Sequence, residues 1–348
     1  MNPQKRFHNF LWCAAFCCIL QPAIGQYESL IFDVPADART AGLGGRLTAD
    51  LHPDIHASLF NPAFIHCNQI QQVALDYVGY FGTTTIGGLQ LILGTDGRKT
   101  WSAGTRFTTF GQLDELDASG QATGNQFFAG DVAIQASVAW AFEAGQGHDL
   151  TAGATLWTGT RSLNRTVSLM TGTDLALRGV WHEQHFAWGL ALTGLGHSWG
   201  RQSQQPTGFM PMNVQFGLAK SFANAPFTFH LEANQLQKWQ LAPDGTYDDL
   251  IDPLTGEASK PMAWPGGDAL MRHLTLGTEL ALSEALAIQL GYDYRRRQEL
   301  RSGNRPGTNG LAIGVQFQVK KFNVRMARNT YHFAGASTHL SLSFDLAG

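Results

Sequence analysis

Ala287-Ile288-Gln289-Leu290-Gly291-Tyr292-Asp293-Tyr294-Arg295 decides how the rest of this chain is read. Successive side chains of a strand point to opposite faces. Ile288, Leu290, Tyr292 and Tyr294 therefore share one side, and Gln289, Gly291, Asp293 and Arg295 the other. A half-buried soluble strand alternates too, but the polar side here is unusually charged. The pattern returns in Leu311, Ile313, Val315, Phe317 and Val319 against Ala312, Gly314, Gln316, Gln318 and Lys320. It returns again in Leu340, Leu342, Phe344 and Leu346 against Ser341, Ser343 and Asp345. A segment of about ten residues with one apolar and one polar face is the unit of a membrane-spanning β-barrel.

Working outward from this stretch, about fourteen such runs follow one another from residue 72 to residue 346. The connections are an independent test. Alternate ones are short: 95–99, 144–147, 182–184, 223–226, 283–285 and the corner at Lys321. The others are mostly long: 111–130, 162–170, 196–211, 236–272, 296–310 and 330–337, with only 82–83 brief. Short periplasmic turns alternating with long external loops mark a bacterial outer-membrane barrel, whereas a soluble sandwich has no reason to sort its loops by parity. The expected fold class is thus all-β, a transmembrane antiparallel barrel of about 14 strands with an N-terminal plug segment. Aromatics near the run ends, such as Tyr77, Tyr80, Trp101, Trp140, Trp181 and Tyr292, suit the two interface girdles.

Composition agrees. Of 348 residues, 44% are hydrophobic and only 15% charged, the net charge is −3, and 39 are glycine. After the N-terminus there is no apolar run of about 18 residues, which argues against transmembrane helices. The N-terminus itself reads as a signal peptide over 1–25: Lys5 and Arg6, an apolar stretch from Phe10 to Leu20, then Ala23-Ile24-Gly25. Cys13, Cys17 and Cys18 fall inside it, so the exported chain keeps Cys67 alone and has no internal disulfide. Residues 26–70 lack the alternation and carry turn signals at Gly44-Gly45 and Asn61-Pro62. They are expected to pack inside or beneath the barrel of 71–348, a loose periplasmic tail being the alternative.

Chemistry is sparse. His182-Glu183-Gln184-His185 is one residue short of the spacing that puts two zinc ligands on one helical face. His52-Pro53-Asp54-Ile55-His56 has metal-ligating residue types, but such residues in a loop are commonly just solvated. No G-x-S-x-G elbow supports a hydrolase, and no cofactor motif is present. The expectation is a non-enzymatic protein without a cofactor. Glu279, Asp293, Arg295, Lys320 and Arg325 are expected to face the lumen and to pair there. Two external loops are the docking candidates. One contains Asp248, Asp249, Asp252 and Trp264, mixing acid with an aromatic; the other begins with Arg296 and Arg297 and continues through Arg301, a basic cluster suited to an anionic partner.

With strands and plug in view, the chain resembles the fatty-acid-transporter-like barrels, and within them the PorV/PorQ family of type IX secretion outer-membrane proteins. The resemblance rests on Val34-Pro35-Ala36-Asp37-Ala38-Arg39-Thr40-Ala41-Gly42-Leu43-Gly44-Gly45 followed by Asn61-Pro62-Ala63. It continues through Tyr77-Val78-Gly79-Tyr80-Phe81, Gly130-Asp131-Val132-Ala133-Ile134, Ala225-Pro226-Phe227, Arg272-His273, Arg295 to Leu300, and Ala327-Arg328-Asn329-Thr330-Tyr331-His332. The resemblance implies an integral outer-membrane subunit of the cell-surface attachment complex. Its partners would be a PorZ-like surface protein, a PorU-like sortase, a PorV-like barrel and anionic lipopolysaccharide. A barrel moving hydrophobic small molecules is the alternative that the wider resemblance implies. A barrel enzyme and a soluble β-protein are the remaining readings.

Overall fold

The computed structural model describes residues 30–117, 119–145, 147–164, 166–200, 207–243, 264–300, 308–332 and 335–346. The expected signal peptide lies outside them. Fourteen long antiparallel strands form the wall. They are β1 (Gln72–Gly79), β2 (Thr85–Thr95), β3 (Lys99–Leu116), β4 (Ala122–Gly145), β5 (His148–Leu163), β6 (Thr166–Trp181) and β7 (Phe186–Trp199). Then come β8 (Asn213–Phe222), β9 (Ala225–Ala233), β10 (Leu274–Ser283), β11 (Leu286–Asp293), β12 (Leu311–Val319), β13 (Phe322–His332) and β14 (Gly335–Asp345). Each pairs with its sequence neighbours, and β1 pairs with β14 from Gln72↔Asp345 to Gly79↔Thr338, so the sheet closes. The pair Gly208–Phe209 adds a short strand against His197 and Ser198 in the connection after β7.

The faces are inverted relative to a soluble protein. Leu156, 71% exposed, sits between buried Thr155 and Trp157; Ile134, 60% exposed, sits between buried Ala133 and Gln135. In β11, Leu290 is exposed while Gln289 is 1% exposed. In β13, Phe322, Val324 and Met326 face out and Arg325, Ala327 and Asn329 face in. Large apolar side chains cover the outside and hydrogen-bonding ones the inside. In water that outside would be an aggregation surface; in a bilayer it is the solvated face, and the closed ring satisfies the backbone that lipid cannot.

Several sequence expectations need correction. The long connections 111–130 and 162–170 are largely strand: β3 and β4 continue to Leu116 and from Ala122, while β5 and β6 run to Leu163 and from Thr166. The β3–β4 extension is largely exposed and mixes polar and apolar side chains on both faces. Gln126 Nε2 donates to Asp114 Oδ1 at 2.9 Å and Asn125 Nδ2 to Glu115 Oε2 at 3.0 Å across the ladder. No apolar face marks its length. The opening stretch also ends early. Asp293 terminates β11 and its side chain accepts from the Arg296 N–H, starting helix α4 (Tyr294–Glu299). Tyr294 and Arg295 are helical. Lys320 occupies an exposed two-residue turn between β12 and β13 and does not face the lumen.

Residues 30–70 lie against the inward side chains of the wall. Helix α1 (Leu30–Asp33) and helix α2 (Ala38–Gly42) are followed by single 3-10 turns at Ala57–Leu59, Pro62–Phe64 and Cys67–Gln69. Asp37 caps α2: its carboxylate accepts from the Arg39 and Thr40 N–H groups and from the Thr40 hydroxyl. Asn61 starts the second turn by accepting from Ala63 N–H at 3.0 Å, and its Nδ2 donates to the Thr48 carbonyl at 3.3 Å. The wall yields room through glycine at the closest approaches. A Cβ on Gly189 of β7 would lie 1.9 Å from the Thr48 carbonyl oxygen, and one on Gly291 of β11 would lie 2.2 Å from the Gly44 nitrogen. Between β9 and β10, helix α3 (Pro265–His273), almost all of it in the expected 236–272 loop, packs beside α4 at the long-loop end.

Candidate functional site in the polar lumen

The chemistry of the molecule is concentrated where residues 30–70 meet the wall. Arg39 of α2 is the hub. Its Nε donates to Glu279 Oε2 of β10 at 2.7 Å, and its Nη1 pairs with Asp50. A second cation, Arg325 of β13, donates Nη1 to Asp54 Oδ2 at 2.7 Å and lies 3.8 Å from Asp37. Arg178 of β6 donates to the Asp50 and Leu51 carbonyls at 2.7 and 3.1 Å. These arginines are all buried. Planar guanidinium groups that donate in several directions suit this bridging task better than lysine ammonium. Burial alone would raise the Asp50 carboxyl, but the adjacent Arg39 guanidinium overrides it and holds that group well below the usual carboxylate range.

A second junction ties residues 30–70 to the seam of the barrel. His56 Nδ1 lies 2.7 Å from Asp76 Oδ1 of β1, the same oxygen that accepts from the Ser341 hydroxyl of β14. Ser341 Oγ in turn accepts from the Ala38 N–H at 2.9 Å. Burial disfavours a charged His56 imidazole; the Asp76 carboxylate outweighs that and raises its pKa above 6.5. Asp37, His56 and Asp76 each offer a ligand atom within 4.8 Å of the others. However, Asp37 is engaged as the α2 cap and Asp76 Oδ1 with His56 and Ser341. The trio is a hydrogen-bond junction. The chelate suggested by His52, Asp54 and His56 is not assembled, since Asp54 turns to Arg325 and His56 to Asp76.

Between these junctions lies a charged cavity of about 160 Å³ lined by Arg39, Asp50, Asp54, Thr228, Glu279 and Arg325. Its wall residues come from the halves of β9, β10 and β13 nearer the short turns. Of the residues expected in the lumen, Glu279 and Arg325 are there; Asp293 pairs with Arg296 at 3.4 Å, and Arg295 pairs with Glu299 and donates to Gln235 at the long-loop end. Arg39, Asp50 and Arg178 were not singled out from the sequence. The first two sit in a segment without periodicity, and the third is distinguished only by being a charge at an inward strand position.

The expected docking residues fare differently from one another. Asp248, Asp249, Asp252 and Arg301 lie outside the described residues. Trp264 is exposed at the N-terminus of α3. Arg297 is half-buried beside Gly310. Arg296 turns inward: its Nη1 donates to the Gly44 carbonyl at 3.1 Å, and its guanidinium sits 4.0 Å from the Tyr331 ring centroid. His182, in the tight turn after β6, faces Asp149 at 2.7 Å in the open. It is a surface pair.

No family model matches the sequence, and no curated protein matches it. Solved structures do. A deltaS2 mutant of the TodX monoaromatic hydrocarbon channel aligns over 90% of this chain and 98% of its own, with a TM-score of 0.52 and 12% identity. The Pseudomonas putida toluene transporter TodX aligns over the same shares with a TM-score of 0.50 and 12% identity. The fold is that of the TodX-type barrels. This correspondence shows the fold, and the inverted faces are those of a barrel that sits in a membrane.

Proposed function

We propose that this chain admits apolar small molecules across the outer membrane, with residues 30–70 as its gate. The observation that carries this reading is the whole-length fold correspondence with two structures of a hydrocarbon channel. The lumen supports it. Residues 30–70 are held largely by discrete ion pairs and hydrogen bonds around a charged cavity, and the buried apolar residues fall into several small clusters rather than one core. Such contacts exchange for water one at a time, whereas a single apolar core opens only as a whole. Proteoliposomes carrying the barrel should take up labelled toluene faster than protein-free liposomes, and Arg39→Met, which loosens the gate, should speed uptake further. Uptake no faster than in protein-free liposomes sinks the reading.

A second reading is a subunit of the type IX attachment complex, holding a PorZ-like partner and presenting anionic lipopolysaccharide. One observation favours it: motifs that carry the sequence resemblance meet in space. Ala41 to Gly45 reaches Asn329, which donates to the Ala41 carbonyl at 2.9 Å, and Arg296, stacked on Tyr331. Asp248, Asp249, Asp252, Trp264, Arg297 and Arg301 are then its docking residues. Deleting 244–263 should abolish co-purification of PorU-, PorV- and PorZ-like chains from gently solubilised outer membrane. Undiminished recovery with a folded barrel contradicts this reading.

A further inference from the structure

A cavity opens on the outside of the wall. A groove of about 560 Å³ runs across the outward faces of β10 to β14 in the half nearer the long loops. Leu276, Leu290, Leu311 and Ile313 line it, each about half exposed, with Tyr292 and Thr330 toward the rim. Its origin is a parting of two strands. The β12–β13 ladder ends at Ile313↔Arg328, so Leu311 and Ala312 have no partner on Asn329 and Thr330. The β13–β14 ladder is irregular between Asn329 and His332 as well. The volume falls within the range of about 300–1,000 Å³ common to small-molecule sites.

Arg328 stands at the foot of this parting. Its position in β13 continues Phe322, Val324 and Met326, so its side chain belongs to the apolar outer face, and it is exposed. The structure gives it no hydrogen bond, ion pair or ring partner among the described residues, unlike Arg325 three positions earlier. A guanidinium on a lipid-facing strand is costly unless it meets an anion or reaches the interface. The outer halves of the strands place it within reach of outer-leaflet headgroups. An apolar trough with one unpartnered bidentate cation at its edge matches an acyl chain joined to a phosphate.

We propose that this groove is a binding site for a phosphorylated acyl lipid of the outer leaflet, with Arg328 on the phosphate and an acyl chain along Leu276, Leu290, Leu311 and Ile313. It is independent of the transport reading. The occupant is a membrane lipid because the groove opens sideways into the apolar band and Arg328 supplies the complementary charge.

The test is native mass spectrometry of the whole barrel in mild detergent, with bisphosphorylated lipid A as the probe and dephosphorylated lipid A as its control. Lipid A should stay bound through delipidation, and the dephosphorylated form should be retained about tenfold less, the loss of one charge-assisted contact. Arg328→Leu should bring the two forms to equal, low retention, and Arg328→Lys should restore part of the difference. Heat-modifiable gel mobility confirms that each variant is folded. Equal retention of both forms by the unaltered protein overturns the proposal without any variant. Undiminished lipid A retention by folded Arg328→Leu overturns it too. Toluene uptake is a separate readout, so failure here leaves the transport reading standing.

Discussion

At the scale of single residues, the lumen is organised by arginines that each hold more than one partner. Removing Arg39 leaves buried Asp50 and part-buried Glu279 without the cation they share. Breaking a buried pair from one side costs about 3–5 kcal/mol. Arg39→Ala should therefore expose residues 30–70 to protease in detergent while the β-strand circular dichroism stays intact. Unchanged cleavage would mean that the ion pairs are dispensable. His56 gives a pH dependence with a definite sign. Its pKa is raised in the folded state, so its contribution is fully present below about pH 6.5 and is lost as pH rises through the raised value. Protection of residues 30–70 should weaken as pH rises past 6.5 and through the raised value, and His56→Gln should flatten the profile. Gly189 is a purely steric case: with a Cβ 1.9 Å from the Thr48 oxygen, Gly189→Ala should release the same segment at every pH.

At the scale of elements, the strands were legible because alternation writes itself into sequence wherever one face meets lipid. β11, β12 and β14 could be read directly, down to which residues face out. Legibility ended where that contrast ended. The β3–β4 extension has polar residues on both faces, and α4 begins where Asp293 caps it, although Tyr294 and Arg295 keep the alternation by type. The luminal partners were hidden for another reason. Asp50 and His56 acquire their meaning from strands remote in sequence, and no local periodicity records such a pairing. The turns carry their own expectation. Lys320 adopts φ 55°, a left-handed conformation costing a non-glycine residue about 1–2 kcal/mol. Lys320→Gly should raise the urea midpoint of the barrel in micelles, and Lys320→Val should lower it.

At the scale of the whole molecule, the inverted surface makes the clearest prediction. Leu156 is 71% exposed, and in a soluble protein an arginine there would be close to neutral. On a lipid-facing strand the same change costs about 2–4 kcal/mol near the bilayer midplane. Leu156→Arg should reduce the membrane-inserted, heat-modifiable fraction far more than Thr155→Ser on the inner face. Equal effects would contradict the bilayer reading.

The contacts of residues 30–70 extend round the entire ring. Asp76, Gln90, Arg106 and Gln135 receive them on β1 to β4; Gly153, Arg178, Gly189, Gln215 and Glu232 on β5 to β9; Glu279, Gly291, Gly314, Asn329 and Ser341 on β10 to β14. The seam that shuts the ring joins the first strand to the last, so it forms only once the final residues have been made. The N-terminal segment is available long before then, carrying on one short stretch of chain a binding position for every strand. It is thus placed to serve as a jig as much as an occupant: a strand laid against it would inherit its register, and the closing seam is addressed by His56 and Ala38. A one-residue slip anywhere in the wall would misplace a side chain that this segment has already addressed.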